Sequence, residues 1–176
     1  MNIKRLTITA LAAVAVSAGA TWALNTNAGA GSDATARLYT AGGDEIGKVS
    51  FEFDDDQTEV KVEIDLAHAA IAVNAFHGFH VHSTGVCAAG GTPVVDFGAA
   101  GPHYNPAGAL HAQHAGDMPS VFVNSDGTTT TKFTIDRFEP DELFGKAVIL
   151  HAKPDYWDIN TINGNAGARV ACGVIG

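Results

Sequence analysis

The sequence predicts an all-β fold, an eight-stranded Greek-key barrel or sandwich with two long functional loops. Apolar and polar residues alternate with a period of two in several short runs, and turn-forming residues separate these runs. No long stretch has the periodicity of a helix. A chain of 176 residues suits one domain with a substantial core.

The clearest alternation runs over 59–66, where aliphatic and charged residues change places at every step. This pattern is typical of a strand with one face in a core and one in water. Seven further strands are predicted over 36–40, 48–53, 79–82, 120–123, 128–135, 147–151 and 169–174. Segments 54–57 and 124–127 have the composition of tight turns.

Two segments, 85–119 and 153–168, fit neither a strand nor a helix. Both are long for connections in a compact domain, and loops of this length are usually functional or disordered. Five of the eight histidines fall between His80 and His114, so the first long segment is the main candidate for a site.

The first 30 residues have the pattern of a secretory signal peptide. Lys4 and Arg5 precede an apolar stretch, 6–23, that is rich in small residues. Cleavage is expected near Ala23 or Ala30, with Ala30 preferred, which leaves a domain over 31–176 that is secreted, periplasmic or held in the cell envelope. The alternative is a retained membrane anchor, since the stretch is about long enough to span a bilayer.

The charge balance limits the classes of partner. After Ala30 the chain has eight basic and nineteen acidic residues, a formal charge of −11. This argues against nucleic acid, whose phosphates require a basic binding surface. No stable membrane partner is expected once the signal is cleaved, and both a homodimer and a monomer stay open.

The chain contains two cysteines, Cys87 and Cys172. An even count in an exported chain predicts one disulfide bond. Its loop would cover most of the domain and stabilise it by about 4 kcal/mol on a chain-entropy model. The alternative is a pair of free thiols.

His80 and His82 lie two residues apart on a predicted strand, so their side chains share one face about 6.6 Å apart. Two imidazoles so placed can converge on one metal ion, although a His-x-His pair is weak evidence by itself. His151 ends an apolar predicted strand. Taken alone, it is more simply interpreted as a capped core residue.

A second group consists of His103, His111, His114 and Asp117. Three imidazoles and a carboxylate match the ligand set of a tetrahedral zinc site. The surrounding loop is rich in glycine, alanine and proline, which cannot order it by packing, and a metal ion can supply that free energy. The alternative is a solvated loop with incidental histidines.

Five segments together resemble the copper/zinc superoxide dismutases, and they occur in that family's order: 78–82 (GFHVH), 103–106 (HYNP), 111–117 (HAQHAGD), 147–151 (AVILH) and 164–175 (GNAGARVACGVI). The resemblance covers essentially the whole mature chain, and the joint pattern is specific although each fragment is not. It implies a β-sandwich enzyme that converts two superoxide anions to oxygen and hydrogen peroxide by copper redox cycling. Zinc would have a structural and tuning role.

The resemblance also implies which residues bind each ion. The copper ligands would be His80, His82, His103 and His151. The zinc ligands would be His103, His111, His114 and Asp117. His103 would therefore bridge both ions and act in catalysis by passing a proton to the reduced substrate.

Residues around the two ions are implied as well. Asp155 would link His80 to His111 and fix both rings, and His77 would be a structural histidine below the site. Arg169 would line the copper channel and attract superoxide, the alternative being a salt-bridged surface arginine. The resemblance also pairs the two cysteines with each other.

The spacing departs from the animal enzymes and resembles the bacterial exported branch. Cys87 follows His82 by 5 positions, and His103 follows Cys87 by 16. The loop from His151 to Arg169 is short and has no counterparts of the family's charged steering residues. Attraction of superoxide is therefore expected to be local. The aromatic side chains at 156–157 are expected to pack on the barrel rather than to cover the channel.

Three other functions remain open: a copper and zinc buffering protein of the same fold, a zinc-only structural domain and a secreted adhesion module. Arg169 and a copper position open to substrate favour the enzyme over the buffering protein. A zinc-only domain would not need His80, His82 and His151, and an adhesion module would need none of the ligands.

Overall fold

In the computed structural model the described residues are 33–66, 71–89, 96–158 and 160–176, so the predicted signal segment lies outside them. The strands are β1 (Ala34–Thr40), β2 (Glu45–Asp54), β3 (Gln57–Asp65), β4 (Ala75–His82), β5 (Asp117–Val123), β6 (Thr128–Ile135), β7 (Ala147–His151) and β8 (Arg169–Val174). Two short 3-10 helices cover Gly98–Ala100 and Pro140–Leu143. No helix in the described ranges is long and apolar enough to cross a membrane.

The eight strands form one antiparallel sheet in the order β5-β4-β7-β8-β1-β2-β3-β6. β5 and β6 lie at opposite edges of this order, yet only residues 124–127 connect them. So short a connection requires the two edges to approach each other, and the sheet curls into a nearly closed barrel. The long crossings from β3 to β4 and from β6 to β7 give it Greek-key connectivity. The predicted all-β, eight-stranded fold is confirmed.

Every predicted strand is present, and the differences lie at the ends. β4 begins at Ala75 rather than 79, and β5 begins at Asp117 rather than 120. The added residues of β4 were missed because apolar and polar residues do not alternate over 75–78. Their strand conformation comes from pairing with β5, which the local sequence does not encode.

The core lies inside the barrel and follows the alternation in the sequence. Val60, Val62 and Ile64 of β3 point inward and are buried with Leu38 and Phe51. Burial of an aliphatic or aromatic side chain of this size stabilises a fold by about 1.5–3 kcal/mol. The inward face of the sheet is therefore the main source of stability.

β7 is buried on both faces, which explains its uninterrupted apolar sequence. Val148 and Leu150 belong to the main core, whereas Ala147 and Ile149 point outward into a second apolar cluster. That cluster also contains Phe97, Ala100, Cys172 and the partly buried Cys87. Cys87 and Cys172 are joined by a disulfide bond, so the predicted bond is confirmed. It fastens the first long loop to the outside of the sheet.

Candidate metal centre

The outer face of β4 and β7 carries three buried histidines. Along β4, Phe79 and Val81 point into the core, so His80 and His82 point outward. β4 pairs with β7 in antiparallel register, and His151 ends β7 beside them. The rings of His80 and His151 have centroids 4.8 Å apart. One face of two paired strands thus gathers three imidazoles.

Cross-strand pairing brings the first long segment, 85–119, to the same place. His80 of β4 is directly opposite Asp117 of β5, and His82 forms an isolated bridge with His103. Directly opposed residues in an antiparallel pair are close enough for their side chains to interact. Strand register thus places the histidines of β4 and β7 next to the second predicted group, which contains His103 and Asp117.

Two clusters of candidate ligand atoms result, and in each cluster all four atoms lie within 4.8 Å of one another. The first cluster contains His80, His82, His103 and His151. The second contains His103, His111, His114 and Asp117. All seven residues are buried, and His103 belongs to both clusters.

The second cluster has the dimensions of a tetrahedral site. His103 Nδ1 and His114 Nδ1 are 3.4 Å apart. Asp117 Oδ2 lies 3.2 Å from Nδ1 of His111 and from Nδ1 of His114. Ligands 2.0–2.1 Å from a tetrahedral zinc ion are about 3.3 Å from one another. Because His103 directs Nδ1 to this cluster, its Nε2 is left for the first.

Asp155 connects the two clusters through ring nitrogens that face away from the candidate metal positions. Its Oδ2 accepts a hydrogen bond from His80 Nε2 at 2.9 Å, and its Oδ1 accepts one from His111 Nε2 at 3.1 Å. The carboxylate is almost fully buried. Each bond places the proton on Nε2 and leaves the lone pair of Nδ1 for the cluster.

Backbone carbonyls orient the other rings in the same way. His82 Nδ1 donates to Gly101 O at 2.8 Å, and His151 Nδ1 donates to Gly167 O at 3.3 Å. The opposite nitrogen of each ring then faces the first cluster.

Four buried ring nitrogens in the described part of the chain have no hydrogen-bond partner: His80 Nδ1, His82 Nε2, His111 Nδ1 and His151 Nε2. An unsatisfied buried polar atom is costly, and folded proteins rarely contain one without a reason. All four belong to the clusters, and all four are the nitrogens that the other bonds leave unprotonated. The residues therefore fit metal ions, which would satisfy every one of these atoms.

Burial favours the neutral, metal-binding form of three imidazoles of the first cluster. It lowers the pKa of His151 to about 4. It also lowers the pKa of His80 and of His82 well below the usual range, and neighbouring histidines, first among them His103, add to the effect.

The pKa values of the two buried carboxylates, Asp117 and Asp155, are shifted in opposite directions. Burial by itself would raise the pKa of Asp117, but the hydrogen bond and charge of His103, with the other histidines of its cluster, lower it below its usual value. Burial raises the pKa of Asp155, against the opposing effect of His111. Asp117 is thus the carboxylate more strongly held in its anionic form in the absence of metal.

Arg169 lies beside the first cluster because β8 pairs it with His151 of β7. Its guanidinium is half-buried and donates to the carbonyl oxygens of Phe97 and Gly101, each at 2.6 Å. Burial lowers its pKa, but arginine stays protonated in proteins. The contacts to three carbonyls, including Gly98 O at 3.4 Å, hold a fixed positive charge at the site.

His77 contacts the backbone of His151. It is fully buried, with Nδ1 2.6 Å from His151 O and Nε2 2.9 Å from Ala72 O. The ring thus ties the residues before β4 to the end of β7.

The expectation that the aromatic residues of the second loop pack on the barrel is wrong for Tyr156, which is 59% exposed. Trp157 is 67% exposed but lines a cavity against barrel residues of β6. Asp155 is directed inward to the clusters, whereas the next two side chains are exposed.

Sequence reasoning missed several residues that shape the site. Gly101 accepts hydrogen bonds from both His82 and Arg169, and Gly164 lies against Asp155. Both glycines have a positive φ, +75° and +63°. Their signal in the sequence is glycine within a ligand-bearing loop, which is typical of close backbone approach.

The fold and the site define a β-barrel metalloprotein with two ligand clusters that share one histidine. The model of the copper/zinc superoxide dismutase family matches residues 45–175. A Cu-Zn superoxide dismutase of Brassica juncea is 40% identical over 114 residues, 57% of this chain and 71% of that protein. The chain belongs to the copper/zinc superoxide dismutase family.

Solved structures agree with this assignment. The Cu/Zn superoxide dismutase from Brucella abortus is 28% identical, with a TM-score of 0.70 over 81% of this chain and 99% of that one. A double mutant of a SOD-like protein from Bacillus subtilis is 26% identical, with a TM-score of 0.66 over 79% and 94% of the two chains. The protein is thus an oxidoreductase that acts on superoxide and uses copper and zinc.

Gly164→Ala is expected to weaken zinc binding about tenfold or more. An added Cβ would lie 1.4 Å from Asp155 Oδ1 and 2.6 Å from His111 Nε2, so the bond between them would break. Gly108→Ala is the matched control, because Gly108 has φ +64° but no atom within 4 Å of the added Cβ. Competition with a zinc chelator measures the affinity. Equal affinities in the two variants would contradict the role of Asp155.

Proposed function

We propose that the first cluster binds copper, that the second binds zinc, and that His103 is the ligand shared by both in a superoxide dismutase. Copper would be held by His80, His82, His103 and His151. Zinc would be held by His103, His111, His114 and Asp117. The observation that carries this proposal is one buried histidine common to two clusters, together with four buried ring nitrogens of these clusters that have no hydrogen-bond partner.

The donor sets support this division. Four imidazoles suit copper, whereas three imidazoles and a carboxylate are a typical zinc set. When bound, copper supplies the one-electron oxidation and reduction that dismutation requires, and zinc has no redox chemistry. Asp117 adds an anionic ligand whose low pKa keeps it ionised at neutral pH.

His103 is positioned to hold and deliver a proton. Its Nδ1 lies 2.7 Å from Asp117 Oδ1, on the zinc side. Its Nε2 is directed to the other cluster and can carry one proton to the reduced substrate, and water supplies the second proton that completes hydrogen peroxide. The shared position of the ring is the reason why one residue can serve both clusters.

Asp155 orients one histidine ring in each of the two clusters. By accepting hydrogen bonds from both His80 and His111, it fixes the tautomer and the plane of one ring in each cluster. A displacement of Asp155 would therefore change the orientation of one ligand ring in each cluster.

Arg169 would bind and orient the superoxide anion. Its guanidinium has a permanent charge and several N–H donors, and its carbonyl contacts fix it beside His151. The mature domain carries a formal charge of −11, which repels anions at long range. A positive charge in a partly buried position next to the site attracts the anion locally.

The protein is also proposed to be an exported member of the family's bacterial branch, with residues 1–30 as the signal and 31–176 as the enzyme. The basic and apolar start of the chain, the long interval from Cys87 to His103 and the disulfide bond support this.

Export with cleavage predicts a shorter protein outside the cytoplasm. Mass spectrometry of the protein recovered from the periplasm or medium should give a chain beginning after Ala30 or Ala23. An uncleaved chain in the membrane fraction would support the anchor instead.

The proposed activity is tested by metal loading. The purified protein loaded with copper and zinc should remove superoxide, the zinc-only form should be inactive, and a copper chelator should abolish activity. Copper binding without activity would show a metal-buffering protein. Failure to bind copper would indicate a zinc-only domain.

Arg169→Glu should lower the rate of superoxide removal about tenfold or more at low salt, because the anion would meet a negative charge at the site. Arg37→Glu is the control with the same change in net charge, since Arg37 is exposed on β1 and paired with Glu45. Stopped-flow rates should separate the two variants. Similar rates would show that Arg169 does not act locally.

A further inference from the structure

Arg137 follows β6 and contacts the loop that carries the second cluster. Its Nη1 donates to Ala112 O at 3.0 Å, and its Nη2 donates to Asp117 O. Ala112 directly follows His111, and Asp117 is itself a member of the cluster. One guanidinium therefore holds the backbone at both ends of the segment 111–117.

Further bonds from this segment to the rest of the chain lie near its two ends. His111 bonds Asp155 at 3.1 Å, and Gly116 bonds the backbone of Tyr104 at 2.8 Å and of Val81 at 2.9 Å. The segment forms no strand before Asp117 and consists mainly of alanine, glycine and the cluster residues themselves. Its internal backbone hydrogen bonds are single turns, such as Asp117 N to His114 O at 3.2 Å. Small side chains bury little apolar area, so packing contributes little to the position of the loop.

An open surface pocket of about 390 Å³ adjoins this segment at Ala112. Ala112 lines it on the loop side, and strand residues line it on the barrel side: Gln57 of β3, Pro119 of β5, and Thr134 and Ile135 of β6. Asp136, Arg137 and Trp157 complete the lining. The pocket separates Ala112 from the strand residues opposite it. The two hydrogen bonds from Arg137 connect loop and barrel across this space.

We propose that Arg137 is a positioning residue of the second cluster, and that it holds His111, His114 and Asp117 in a converged arrangement before a metal ion binds. The inference rests on the proposed assignment of zinc to this cluster. Arg137 acts through two backbone carbonyls and does not touch the ion. A planar guanidinium suits this role because its N–H groups can reach two acceptors at fixed separation, which a lysine ammonium does less well.

The test compares zinc affinities of the wild type, Arg137→Ala, Arg137→Lys and Arg37→Ala in the full exported protein. Chelator competition should show a loss of about 10–100-fold in Arg137→Ala, the range found when a residue supporting a metal ligand is removed. Arg137→Lys should show a smaller loss, and Arg37→Ala should match the wild type. Loss of a positive charge would by itself favour cation binding, so a weaker affinity cannot come from net charge.

Cobalt(II) bound in place of zinc supplies a readout that a general loss of stability would not change. Its visible absorption reports the ligand geometry, and we expect an altered spectrum in folded Arg137→Ala. Zinc affinity within twofold of wild type together with an unchanged cobalt spectrum would overturn the role of Arg137. Wild-type zinc affinity in Arg137→Lys would contradict the requirement for a guanidinium that bonds two carbonyls. This comparison remains decisive if Arg137→Ala does not fold.

The two proposals fail in different ways. A wild-type chain whose cobalt spectrum is not that of a tetrahedral nitrogen and oxygen site would contradict the zinc assignment. A tetrahedral spectrum in the wild type, with the same spectrum and zinc affinity in every variant, contradicts only the inference about Arg137.

Discussion

The buried carboxylate of Asp155 is the interaction on which both halves of the site depend. It accepts hydrogen bonds from His80 on one side and His111 on the other, although these residues come from a strand and from a loop. Burial raises its pKa, so the site bears an energetic cost to keep this group ionised. Two cationic metal ions nearby would reduce that cost. The geometry of the clusters and the charge of Asp155 therefore support each other.

The other oriented rings are held in the same way. Each oriented imidazole has one nitrogen bonded to a carboxylate or a backbone carbonyl and one nitrogen without a partner. Hydrogen bonds on the outside of the clusters thus decide which lone pairs face inward. The rigid pairing of β4 with β5 and β7 supplies the framework, and the disulfide bond fastens the first loop to it. The loops can consequently be rich in glycine and alanine without losing the arrangement.

The charge next to the first cluster is positive although the net charge of the protein is negative. An excess of acidic residues keeps the net charge negative, yet Arg169 is held beside His151 by three carbonyl oxygens of the 97–101 segment. Phe97 and Ala100 of that segment are buried against the disulfide-containing cluster. The position of the cationic group thus depends on the same packing that anchors the first loop.

The sequence by itself determined the eight strands, the disulfide pair and the clustering of histidines with Asp117, because alternation and residue type are local properties. Only the tertiary structure decided that His103 lies between the two clusters, since this depends on the bridge to His82 and on the register that places His80 opposite Asp117. Arg137 could not be predicted, because it binds through backbone carbonyls 20 and 25 positions away. Every residue has a backbone carbonyl, so residue type does not indicate which carbonyl will accept a hydrogen bond. Such contacts can be recognised only in the folded structure.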